Sequence, residues 1–209
     1  MSDPASRCLL YQHHKLASVR EGLREDIRRF ATFSSEYRPE LNWKTSLSIF
    51  FQPAIQCLLL YRISHYLYVR RWLTLARLLS RLNLSIHRAN IPPQSCIGPG
   101  CFLGHCPGLT FHGTAGNRLT MLSLAICCPK EDSFGGPAEK GPCLGDGVTV
   151  GAHAVVIGPV NVGDNVTVAT NTWLNIDCPP NRIACCTKIR QRVRSMNTGE
   201  AALSAGSEL

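Results

Sequence analysis

The sequence predicts an α+β chain, with an N-terminal α-helical domain followed by a parallel β-helix of hexapeptide repeats and one extruded loop. Three observations lead there. Apolar residues recur at every sixth position from Ile91 onward. Before Ile91 the apolar spacing is helical instead. The net charge of +8 belongs to the first part alone: residues 1–90 carry 14 Lys and Arg against 6 Asp and Glu, and residues 91–209 carry 8 of each.

The helical part divides into three expected helices. Leu16–Phe33 places Glu21, Arg24, Glu25 and Arg28 on a solvated face. Leu47–Tyr61 is strongly apolar, but Gln52, Pro53 and Gln56 interrupt it and Arg62 follows, so it is too short to span a bilayer. A helix entering at Pro53 fits better, with Ile55, Leu58, Leu59 and Ile63 on one face. Trp72–Leu84 repeats the pattern, with Leu73, Ala76, Leu79 and Leu82 set against Arg77 and Arg81. The expected division is residues 1–88 helical, 89–189 β-helix and 190–209 a flexible tail.

The repeat has two blocks. Ile91, Ile97, Leu103, Leu109, Ala115 and Met121 form the first, and Leu144, Val150, Val156, Val162, Val168 and Leu174 form the second. Glycine follows the apolar residue at positions 98, 104, 145, 151 and 163, where a tight corner needs it. A six-residue period is neither helical nor that of an ordinary strand. It is the signature of a parallel β-helix, each hexapeptide giving one short strand and a turn. Between the blocks, residues 128–143 hold three prolines and three glycines and are expected to leave the coil as a loop.

Composition excludes several function classes. With 44% hydrophobic and 17% charged residues, the 209-residue chain is neither a disordered tail nor a coiled coil. The 11 cysteines are odd in number, contain no C-x-x-C and follow no secretory signal in residues 1–30. They read as reduced thiols of a cytoplasmic protein rather than zinc ligands or a redox pair. No basic stripe is interleaved with aromatics, so nucleic acid is not an expected partner. No membrane partner is expected either. His105, His112 and His153 do not form a convincing zinc-binding set, and no metal is expected.

Three stretches carry a family resemblance: LYRISHYLY at Leu60–Tyr68, IPPQSCIGPGCFLGH at Ile91–His105, and GDGVTVGAHAVVIGPVNVGDNVTV at Gly145–Val168. Together they resemble the serine O-acetyltransferases, within the wider hexapeptide acyltransferases. The resemblance implies a left-handed β-helix, an exception to right-handed crossovers. It also implies a homotrimer or dimer of trimers, and acetyl-coenzyme A as donor. His105 takes the place of the catalytic general base and Asn90 that of its orienting partner, with His112 as a substitute second histidine. Gly151, Ala152, Ala154 and Lys188 match positions that contact the coenzyme, and Gly104 and Lys140 match positions near the acceptor.

The chain departs from the family pattern at several of these places. Asn90 and Gly104 stand where the family carries aspartates. Lys140, Gly141 and Pro142 replace an Arg-His-Pro run, and CysCysThr replaces Gly-x-Pro-Ala before Lys188. The terminal Glu208–Leu209 replaces the isoleucine typical of members that bind cysteine synthase. The implied reaction is acetyl transfer to serine or to a serine-like acceptor, free or carrier-bound. The alternatives are a sugar or secondary-metabolite hydroxyl, or a catalytically impaired binding or assembly protein. An acidic acyl-carrier protein is a further expected partner, docking on Arg70, Arg71 and Arg77 of the basic helical region.

Overall fold

The computed structural model describes residues 16–33, 43–130 and 141–186. Its helices are α1 (Leu16–Phe33), α2 (Trp43–Phe50), α3 (Pro53–Val69) and α4 (Leu73–His87). Helices α1 and α3 begin where the sequence places them, α3 with proline in its first turn. Helix α4 runs past the expected Leu84 to His87, where Arg88 turns left-handed at φ 54°. Helix α2 is an addition: eight residues give too few turns for a helical period to stand out from the apolar run around it.

From Cys96 the chain winds through three parallel sheets, the faces of a prism. Face one stacks β1 (Cys96–Ile97), β4 (Thr114–Ala115), β7 (Cys143–Leu144) and β10 (Asn161–Val162). Face two stacks β2 (Phe102–Leu103), β5 (Thr120–Met121), β8 (Thr149–Val150), β11 (Thr167–Val168) and β13 (Ile183–Ala184). Face three stacks β3 (Thr110–Phe111), β6 (Ile126–Cys128), β9 (Val155–Ile157) and β12 (Trp173–Leu174). One coil is three hexapeptides, so partners such as Cys96 and Thr114, or Thr149 and Thr167, lie eighteen positions apart.

All twelve residues of the six-residue register are buried at 6% exposure or less. Two of them, Ile91 and Leu109, are nevertheless not strand residues. The β3 place opposite Cys127 belongs to Phe111, not Leu109. Eight positions separate Leu103 from Phe111 and only four separate Phe111 from Ala115, where the usual step is six. The corner after β2 therefore holds two extra residues, and the corner after β3 lacks two. The expected loop is also narrower: Cys128 ends β6 and Cys143 begins β7. Thr120 pairs with Thr149 twenty-nine positions on, so eleven residues beyond a coil are inserted there. Residues 131–140 of that loop, and the expected tail, lie outside the described residues.

A β-helix has an open end whose backbone groups lack a coil above. Here the helices close it. The Tyr61 hydroxyl donates to the Ser95 carbonyl at 2.9 Å and accepts from the Ile97 N–H at 2.9 Å. Arg62 donates to the Gly98 carbonyl at 3.1 Å and, through Nε and Nη2, grips Asp26 of α1 at 2.6 and 2.8 Å. Asp26 Oδ1 in turn accepts from the Cys101 N–H at 2.7 Å. Burial pushes the Asp26 carboxyl above its ordinary range, against the opposing pull of Arg62 and the backbone donors. Burial alone would lower the Arg62 guanidinium, but the charge and hydrogen bonds of Asp26 outweigh it and hold it above its ordinary value. Phe33 stacks on Phe102 at 4.6 Å and completes the contact of α1 with face two.

Along the corner between faces one and two, a carboxylate replaces part of the ladder. Asp164 Oδ1 accepts from the Asp146 N–H, and Asp146 Oδ1 accepts from the Asn117 N–H, each at 2.7 Å. Any Cβ at Gly145 would strike Asp164 Oδ1, which is why glycine recurs there.

Two predictions follow from this packing. Asp26→Ala leaves Arg62 buried without its counter-charge and should lower unfolding stability by about 3–5 kcal/mol, read from urea titration. Burial pushes the Cys101 and Cys127 thiols up, whereas Cys185 and Cys186 are exposed. Mass-spectrometric mapping of thiol labelling should therefore find Cys185 and Cys186 modified in the folded protein, and Cys101 and Cys127 only after denaturation.

Candidate active site

His105 lies on the lengthened corner between faces two and three. The loop has firm anchors: the Gly104 N–H donates to the Met121 carbonyl at 2.8 Å, and the Gly108 N–H to the Arg88 carbonyl at 2.9 Å. Its next residue, Cys106, turns inward and is 3% exposed. There it accepts a hydrogen bond from Cys57 of α3, which holds the Cys106 thiol below and the Cys57 thiol above their ordinary values. With Cys106 held in the core, the His105 ring stands in solvent. Gly108 has φ +77°, which a side chain would strain, and a Cβ there would also displace the end of the Leu124 side chain, so glycine is favoured.

Asn90 sits one coil above, bridged in parallel to Thr110. Its N–H donates to the Leu109 carbonyl at 2.8 Å and its carbonyl accepts from the Phe111 N–H at 3.0 Å. The backbone of Asn90 thus fastens the far end of the loop that carries His105. Among the described residues no side-chain hydrogen bond joins Asn90 to His105. His112 occupies the opposite end of β3, on the shortened corner. Its Nε2 lies 3.1 Å from Gln94 Nε2.

Below His105 the corner stacks in order. Gly104 bonds to Met121 and Leu122 to Val150, while the His153 N–H donates to the Ser123 carbonyl at 2.9 Å. Gly151 and Ala152 therefore share the corner of His105, two coils further on. His153 beside them is exposed, with φ 57°. Ala154 is different: its methyl group is fully buried in the core and offers no surface to a ligand. Gly104 is half-buried against Leu122. Lys140 and Lys188 lie outside the described residues.

No protein-family model matches the chain. The serine acetyltransferase of Helicobacter pylori is 34% identical over 140 residues, which span 66% of this chain and 80% of that protein. The chain belongs to the serine acetyltransferase family. A second member, from Synechococcus elongatus, is 29% identical over 131 residues, 61% of this chain and 52% of its own.

Solved family members share the fold. Serine acetyltransferase isoform 3 of Entamoeba histolytica, in complex with cysteine, superposes with a TM-score of 0.71 at 23% identity, over 93% of this chain and 67% of that one. The Neisseria gonorrhoeae serine acetyltransferase, in complex with serine, gives 0.67 at 24% identity, over 80% and 66%. The fold is the left-handed parallel β-helix of this acyltransferase family, preceded by helices.

The sequence singled out His105 but not what holds it. Cys57, Cys106, Gly108 and the Arg88 carbonyl do that, and of these only Gly108 carries a local sequence signal, the turn dipeptide Pro107–Gly108. Among the described residues, no cluster of three or more His, Cys, Asp or Glu is placed to hold a metal. No described helix is long and apolar enough to cross a membrane. Gly108→Ala should lower stability by about 1 kcal/mol or more. It should also speed amide hydrogen exchange in residues 104–109, while exchange in β8 and β11 stays unchanged.

Proposed function

We propose that this chain transfers an acetyl group from acetyl-coenzyme A to the hydroxyl of serine or of a serine-like acceptor. The observation that carries the reading is the exposed His105 on an anchored corner, in a chain 34% identical to a serine acetyltransferase over 80% of that protein's length.

A hydroxyl attacking a thioester needs a base that takes its proton as the new bond forms. His105 is that base. Asn90 is its orienting partner, through the loop anchors that its backbone supplies, and it brings no negative charge to the imidazolium that forms. Gly104 borders the acceptor and leaves room beside the ring. His112, within hydrogen-bond distance of the Gln94 amide, serves the groove formed when a neighbouring protomer lies against face three. The small Ala152 leaves the corner open for the pantetheine arm of the donor, while Gly151 is assigned to the donor on the resemblance, being buried with the backbone of Val168 and Thr170 where a Cβ would lie. Lys188 and Lys140 are assigned to the coenzyme and the acceptor on the resemblance alone. A homotrimer is supported by the outward column of face three, where Ile126, Val155 and Trp173 stack and Trp173 is 65% exposed. Free cysteines throughout the described residues support a reducing, cytoplasmic setting.

A second reading keeps the chemistry and changes the acceptor to a sugar or secondary-metabolite hydroxyl. One observation favours it. Asp146 and Asp164 lie on the corner between faces one and two, and Asp177 bonds to Asn161 of face one. Thus no described acid of the β-helix stands on the His105 corner to receive an amino acid's ammonium group.

Incubation with acetyl-coenzyme A and a panel of hydroxyl acceptors, followed by mass spectrometry, tests both. Serine is expected to gain one acetyl group. His105→Ala should cut the rate by about 10²-fold or more without loss of fold. An undiminished rate in that variant removes His105 as the base, and acetylation confined to sugars replaces serine as the acceptor.

A further inference from the structure

A cationic cluster lies away from the His105 corner, at the opposite edge of face two. Arg29 of α1 is half-buried there, its Nη2 donating to Thr120 Oγ1 at 2.8 Å and its guanidinium lying 5.3 Å from the centre of the Phe33 ring. Its Nε is buried and has no hydrogen-bond partner among the described residues. Arg118, exposed on the corner just before β5, has φ 56°. Its side chain runs along the corner. Cγ lies 3.4 Å from the place a Cβ on Gly100 would take, and Nη2 lies 3.8 Å from that place on Gly147. Burial first, and the positive charge of Arg118 as well, push the Arg29 guanidinium below its ordinary value, against the opposing pull of Cys101 and of Asp26, whose carboxylate is bonded to Arg62.

Neither arginine has a carboxylate partner among the described residues. The ion pairs found there are Arg62 with Asp26 and Arg28 with Glu25. Two like charges held together by packing repel, and a buried N–H without an acceptor is costly. One oxyanion held by the outer nitrogens of the two guanidinium groups would offset that repulsion, by the planar hydrogen bonding at which arginine excels. Thr149 lies directly beneath Thr120 in the ladder and adds a second hydroxyl on the same outward column.

We propose that Arg29 and Arg118, with the buried Thr120 holding Arg29 in place, form a binding site for the phosphate or carboxylate group of a small molecule, separate from the His105 corner.

Inorganic phosphate is the probe, titrated into the full chain by calorimetry and by thermal melting, with ionic strength held constant by chloride. Saturable binding is expected, together with a rise in melting temperature that chloride does not reproduce. Arg118→Gln should weaken phosphate about tenfold or more, and Arg118→Lys should restore part of that loss. Arg118 is exposed, so its variants keep the fold even where Arg29→Gln, which loses the Thr120 bond, does not. A phosphate response no larger than that of chloride, or one unchanged in Arg118→Gln, overturns the site. Competition then identifies the natural source. Displacement of phosphate by coenzyme A but not by 3′-dephospho-coenzyme A assigns the site to the donor's phosphate. Displacement by free L-serine assigns it to an acceptor carboxylate. Displacement by neither supports a site for a separate anion. These readouts do not require acetyl transfer, so failure of the anion site and failure of the proposed reaction are told apart.

Discussion

The buried pair of Asp26 and Arg62 is the interaction on which the rest of the molecule depends. A β-helix is stable in its middle, where each strand has neighbours on both sides, and exposed at its first coil. Arg62 and Asp26 meet the first-coil backbone at the Gly98 carbonyl and the Cys101 N–H, and Tyr61 meets it at Ile97 and Ser95. The charges are expensive to bury, and their bidentate geometry together with the backbone bonds is what makes burial tolerable. The helices are thus a cap, tied to the solenoid by polar contacts rather than resting on it through apolar surface alone.

The same cap reaches the candidate base. Helix α3 carries Tyr61 and Arg62 on one stretch and Cys57 four residues earlier, and Cys57 holds Cys106 in the core. The residue before Cys106 is His105. Helix α4 ends at Arg88, whose carbonyl fastens Gly108 on the other side of the loop. Position at the His105 corner is therefore set from both ends by the helical region, although no helix supplies the candidate base itself. A histidine in solvent on such a loop keeps access to an acceptor while its backbone stays fixed, which is what a general base requires.

Charge follows the same division. No acid occurs between Glu40 and Glu131, while Arg62, Arg70, Arg71, Arg77, Arg81, Arg88 and Arg118 all fall in that interval. Most of these are solvated. Arg62 is neutralised by Asp26, and Arg118 forms no ion pair among the described residues. The outward surface of face two therefore differs at its two edges, with histidine and small residues at one and arginines at the other.

The sequence alone determined which residues face the core. The six-residue period follows from the geometry of a short strand plus a turn, and every coil repeats that geometry, so counting suffices. It also marked His105, because the residues around it carry the family pattern. Counting failed where two irregularities cancel: the two residues gained after β2 are lost after β3, so the period resumes at Ala115 as if nothing had happened. Ala154, matched to the coenzyme by the resemblance, has its methyl group in the core for a related reason, since its place within the hexapeptide decides between core and corner. What only the tertiary structure decided are the meetings of residues far apart in the chain, such as Asp26 with Cys101, Cys57 with Cys106, and Arg29 with Thr120. A local period fixes inside and outside, but it carries no information about which helix closes the open end of the coil. That choice is made by packing and by pairing of buried charge.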